Sequence, residues 1–195
     1  MLSVCANAQE ENKIALENQW FVEGGFGFGT SNEGNYRYYS LSPSVGKFVR
    51  SDLAIGIGLA YGAYLDTYKE FDDKKYFISV NPFVQKYWRI SNQFYLFLDF
   101  SAVYGYGKTT HTYHELNDKA ISDYSGYGLG LSPGFEYYFT PNWSINSRLG
   151  GFSWTASRDQ LGEVQHSFDL GFSSGRNYAL SANNGIMISL KYTFD

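Results

Sequence analysis

From Leu53 to Ala63 the chain alternates Leu53, Ile55, Ile57, Leu59, Tyr61 and Ala63 with Ala54, Gly56, Gly58, Ala60 and Gly62, without a break. A side-chain period of two belongs to an extended strand and cannot arise from a helix. The same alternation recurs about eight times, and it ends in Ile186–Phe194, where Ile188, Leu190, Tyr192 and Phe194 share one face. Eighteen Tyr, 16 Phe and 21 Gly against 17% charged residues suit short strands with aromatic ends. No run of eighteen apolar residues exists to span a bilayer as a helix.

Segments of this pattern start at Trp20, with Val22, Gly24, Phe26 and Phe28 on the same face, and at Tyr39, Leu53, Tyr76, Leu96, Tyr127 and Trp143. The seventh loses its parity near Gly150-Gly151-Phe152, which predicts a bulge. Turns near residues 50, 91 and 141 are short. Connections at about 30–36, 65–75, 108–125 and 155–184 are long and hold most of the charged residues. Short turns on one rim and long loops on the other are the periplasmic and extracellular asymmetry of an outer-membrane barrel.

The fold class implied is all-β: a closed up-and-down antiparallel transmembrane β-barrel of eight strands, both termini periplasmic. Ten strands are the alternative, because Phe168, Leu170 and Phe172 also alternate; they are expected in a surface hairpin or a kinked extension of the last strand. The loops 65–75 and 108–125 are the expected contact surface for an extracellular or envelope protein partner.

Alternation alone does not say which face is wet; the occupants of each face do. Glu23, Asp99, Glu136, Arg148 and Lys191 all share parity with Gly, Ser and Asn. A Lys or Arg on the lipid side at the midplane would cost about 2–4 kcal/mol. The five charges are therefore expected in the lumen, neutralising one another as a structural plug in a bore just wide enough for side chains. Pro43, Pro82 and Pro133 fall on the lipid-facing parity, where bulges are expected because proline cannot donate to the ladder. Tyrosines and tryptophans near strand ends, among them Trp20, Tyr39, Tyr76, Trp88, Trp143 and Tyr192, are expected to form two interfacial girdles.

The segments Ser42-Pro43-Ser44-Val45-Gly46, Leu53-Ala54-Ile55-Gly56-Ile57-Gly58, Thr140-Pro141-Asn142-Trp143 and Leu190-Lys191-Tyr192-Thr193-Phe194 resemble the small outer-membrane protein β-barrel domain family, over residues of about 18 to 194. The resemblance implies a monomeric eight-stranded barrel of the Gram-negative outer membrane, inserted by the outer-membrane assembly machinery. Leu190, Tyr192 and Phe194 would form the terminal-strand signal that this machinery reads. Asp195 after the terminal aromatic departs from the family pattern. The family carries no catalytic motif to transfer.

Residues 1–8 are read as the end of a signal peptide, with Ala6-Asn7-Ala8 as the small-x-small site and cleavage after Ala8. Residues 9–17 are then a periplasmic segment and 18–195 the barrel. The lone Cys5 falls in the removed part; a lipoprotein reading is the weaker one, since Val4 stands where a small residue is usual.

No cofactor or metal is expected: His111-Thr112-Tyr113-His114-Glu115 has no standard ligand spacing. His166 and Ser167 are adjacent, so in a strand they point to opposite faces and cannot share a proton. Net charge −4 with scattered basic residues gives no support for nucleic-acid binding. The expected role is a structural or surface-interaction barrel without enzymatic activity. Its expected partners are outer-membrane lipid and lipopolysaccharide, and the assembly machinery during insertion. The alternatives are an outer-membrane lipid A-modifying enzyme and a narrow pore for small solutes.

Overall fold

A computed structural model describes residues 16–30, 36–67, 71–113, 118–158, 163–171 and 186–195. The signal-peptide reading, Cys5, His114, Glu115 and Phe172 lie outside these residues. The strands are β1 (Trp20–Thr30), β2 (Tyr36–Arg50), β3 (Leu53–Thr67), β4 (Phe71–Arg89), β5 (Phe94–Tyr113), β6 (Asp118–Tyr138), β7 (Trp143–Leu149), β8 (Gly151–Arg158), β9 (Val164–Gly171) and β10 (Ile186–Phe194). All pair antiparallel in one sheet.

These ten segments occupy eight positions around a ring. β7 and β8 are two halves of one stave, both paired with β6. β10 and β9 are the corresponding halves of the last stave, paired with β7 and β8. Trp20–Gly24 pair with Phe194–Leu190 and close the ring. Phe168 and Leu170 thus belong to the upper half of the eighth stave, in a hairpin with β8, and do not add strands nine and ten.

The break between β7 and β8 is a bulge. Arg148 faces Gly134 and Phe152 faces Leu131, so four steps on one stave match three on the other. Arg148 therefore points inward from an even position, whereas Ser153 and Thr155 point inward from odd ones. The chain turns at Gly150 (φ 86) and Gly151 (φ 149), which side-chain-bearing residues rarely adopt. A Cβ at Gly151 would also meet the backbone of Leu131 and Ser132.

The three prolines behave differently from the expected bulges, except at Pro133. Beside Pro43 the β2–β3 ladder skips from Leu41↔Tyr61 to Ser44↔Gly58 and resumes in register. Beside Pro82 the β4–β5 ladder skips from Val80↔Tyr104 to Phe83↔Ser101, again in register. Each proline interrupts the ladder on one side only; the other side pairs Pro43 with Gly24 and Pro82 with Ile57. The missing donor removes a rung locally without shifting a residue, because a residue in a ladder donates to one neighbour.

The expected long loops at 65–75 and 108–125 are mostly strand. β3 and β4 stay paired up to Thr67↔Asp72, and β5 and β6 up to Tyr113↔Asp118. Above the hydrocarbon the outward positions become Lys74, Asp72, Lys108 and Asp123, so the apolar alternation that reveals a strand disappears while the backbone pairing continues. β5 and β6 have 20 and 21 residues, about twice the 9–11 needed to cross hydrocarbon.

Candidate functional site

The inward faces of these staves bring all five expected lumen charges together. Glu23 comes from β1, Asp99 from β5, Glu136 from β6, Arg148 from β7 and Lys191 from β10. Lys191 is fully buried, with Nζ 2.7 Å from Glu136 Oε2 and donating at 2.8 Å to the Tyr87 hydroxyl. Arg148 reaches Glu23 at 2.8 Å and Asp99 at 3.4 Å.

The two ion groups are joined through β4, which sequence reasoning missed. Tyr87 donates to Glu136 Oε2 at 3.0 Å and lies 2.9 Å from Gln85 Oε1, and Gln85 Nε2 donates to Asp99 at 2.8 Å. Ser144 donates to the other Glu136 oxygen at 2.6 Å. Gln85 and Tyr87 have the inward parity of β4, but nothing about an uncharged residue and a tyrosine marks them as links between charges. A buried carboxylate needs several donors to stand in for water, and here each carboxylate has at least one charged donor.

The lumen is also more aromatic than the inward Gly and Ser suggest. Phe21, Phe48, Phe83, Tyr87, Tyr95, Phe97 and Tyr138 form a buried cluster, closed from the periplasmic side by Leu16. Inward glycines make room for the rings: a Cβ at Gly46 would strike Phe21, at Gly56 Phe83, at Gly62 Phe77 and at Gly134 Phe97. An eight-stranded bore cannot hold a ring from every stave at one level, so each of these rings lies over a glycine of the neighbouring strand. Lys191 Nζ lies 4.5 Å from the centre of the Phe21 ring and 5.2 Å from that of Tyr87, which adds cation–π attraction to the ion pair.

The outer face is the reverse. Ile55, Ile57, Leu59, Leu96, Phe100 and Leu131, spread between the two rims, are 39–53% exposed. A contiguous apolar band of this size does not occur on a protein bathed in water on that side. Outward aromatics mark both edges: Trp20, Trp88, Trp143 and Tyr192 near the short turns, and Tyr39, Tyr76, Tyr106 and Tyr127 toward the other rim. Leu190, Tyr192 and Phe194 lie on this outer face, with Tyr192 against Trp143 and Phe194. On the short-turn rim, Asp52 takes a hydrogen bond from Lys86 and faces Arg50; chiefly that bond holds its carboxyl below the usual range.

Among the described residues, the histidines do not assemble a catalytic group. His166 lies flat on Trp154 on the outside, whereas Ser167 points inward to Thr155 at 2.6 Å. His111 pairs with Asp73 at 2.5 Å on the inner side of the extension. Among the described residues, no cluster of three or more His, Cys, Asp or Glu could hold a metal.

No family model matches the sequence, and no curated relative does. Solved structures match the fold. A major outer membrane protein from Thermus thermophilus aligns with TM-score 0.54 at 15% identity, over 90% of this chain and 98% of that one. The N-terminal β-barrel domain of Pseudomonas aeruginosa OprF aligns with TM-score 0.44 at 16% identity, over 91% and 98%. Neisserial surface protein A gives 0.48 at 15%, over 90% and 96%. The apolar exterior, the charged interior and the eight-membered ring together define the fold as that of a small outer-membrane β-barrel.

Proposed function

We propose that this chain is a plugged outer-membrane barrel with a structural or surface-interaction role, neither a solute pore nor a lipid-modifying enzyme. The observation that carries this reading is the zero exposure of Lys191 and Glu136 in the periplasmic part of the lumen, surrounded by aromatic rings. A conducting path would wet these groups. The strand-paired β3–β6 extension offers the outside surface on which a protein partner would dock, and the terminal-strand residues Leu190, Tyr192 and Phe194 would serve as the assembly signal. Against the enzymatic alternative stands the opposite orientation of His166 and Ser167.

Planar-bilayer recordings of the folded protein are the test. The expected result is no steady conductance, and Lys191→Ala with Glu136→Ala, which opens space in the plug, is expected to produce brief openings. Steady unitary currents from the unmodified protein would replace this reading by that of a narrow pore.

A further inference from the structure

Four cations stand at one level on the outside of the barrel, just above the extracellular tyrosines. Arg37 is the next outward residue beyond Tyr39, Lys74 beyond Tyr76 and Lys108 beyond Tyr106, each two positions further along its strand. Arg158 occupies the same kind of position on β8, four residues beyond Trp154. All four are exposed. Counted from the periplasmic end of their staves they are 13–15 residues up, whereas Tyr39, Tyr76, Tyr106 and Tyr127 are 11–13 up. At about 2.5 Å of height per residue on a tilted strand, the tyrosines sit roughly 30 Å above the lower rim, where the hydrocarbon ends. The cations are therefore at headgroup depth.

The register groups them further. Arg37 and Lys74 flank Leu65 in one row, since Arg37↔Leu65 and Leu65↔Lys74 are both paired. Lys74 and Lys108 are diagonal neighbours, because Lys74 faces Thr110 and Tyr76 faces Lys108, which places their Cα atoms about 7–8 Å apart. Two outward carboxylates, Asp72 and Asp123, lie nearby, and Asp123 takes a hydrogen bond from the Tyr106 hydroxyl. The balance at this level stays positive, four cations against two anions, although the whole chain carries −4.

We propose that Arg37, Lys74, Lys108 and Arg158 form a girdle that binds the phosphates of anionic outer-leaflet lipid, of which lipid A is the bisphosphorylated form. Strong hydration keeps lysine at the interface while its stem covers apolar surface, and arginine adds a planar fork suited to phosphate oxygens. The charge pattern selects a lipid headgroup over a soluble anion because the cations form a belt at headgroup depth, with tyrosines to receive the acyl chains below.

The inference rests on the membrane-barrel reading, so insertion into phosphatidylcholine vesicles is scored first on the same preparation. Folded protein in a neutral glycoside detergent is then titrated with bisphosphorylated and with dephosphorylated lipid A. Tighter binding of the phosphorylated form, weakening with salt, is expected. Arg37→Gln, Lys74→Gln, Lys108→Gln and Arg158→Gln should each lower its affinity about fivefold. The control set Lys47→Gln, Arg50→Gln, Lys86→Gln and Arg89→Gln on the periplasmic side should leave it unchanged. Equal affinity for the two lipid forms, unchanged affinity in the girdle variants, or full competition by millimolar inorganic phosphate would each overturn the proposal. Failure to insert into vesicles would instead remove the membrane reading beneath it.

Discussion

Lys191→Met is expected to destabilise the barrel by about 3–5 kcal/mol in urea unfolding from vesicles, because removing one partner of a buried pair strands the other. Glu136 would keep the Tyr87 and Ser144 hydrogen bonds but lose its only cation within 4 Å among the described contacts. The double variant Lys191→Met with Glu136→Gln should recover most of the loss, since the uncharged amide accepts one hydroxyl on its oxygen and the other hydroxyl can turn to accept from its nitrogen. A surface-like pair would behave differently, each single change costing less than about 1 kcal/mol with no recovery in the double. That outcome would mean that water reaches the pair from the periplasmic end of the lumen.

Leu59→Arg should cost about 2–4 kcal/mol and slow insertion, because Leu59 is an outward residue near mid-height of β3, where arginine would lie in hydrocarbon. The same side chain at Ser125, outward on β6 but above Tyr127, is expected to change stability by less than about 1 kcal/mol. Depth rather than residue type decides the difference. Equal effects at the two sites, measured by the same unfolding assay, would show that no apolar slab surrounds the barrel.

Much of this architecture is legible in the alternation alone. Leu53–Ala63, Leu96–Tyr106 and the terminal strand read with the parity they have in the structure, because one face must meet lipid and the other a filled bore. The shared parity of Glu23, Asp99, Glu136, Arg148 and Lys191 is the signal that they point to one space. What escapes the sequence are features without a charge or a period. Gln85 and Tyr87 link the two ion groups, yet neither type announces a buried polar role. Phe21, Phe83 and Phe97 point inward against Gly46, Gly56 and Gly134 on neighbouring staves, a complementarity that requires the register. The extension of β3–β6 is hidden because outward residues above the hydrocarbon meet headgroups and water and lose their apolar pattern. In-register prolines at Pro43 and Pro82 look like bulges until the ladder is seen to resume.

Which face of the barrel meets hydrocarbon is measured directly by a spin-label scan along β3 in lipid vesicles. Single cysteines replace residues 54–62 one at a time in a Cys5→Ser background. Oxygen accessibility is expected to oscillate with period two, with maxima at Ile55, Ile57, Leu59 and Tyr61, and the polar nickel reagent should be excluded throughout the middle of the strand. Maxima for the nickel reagent at Ile57 and Leu59, with oxygen favouring positions 56 and 58, would contradict hydrocarbon on the outer face.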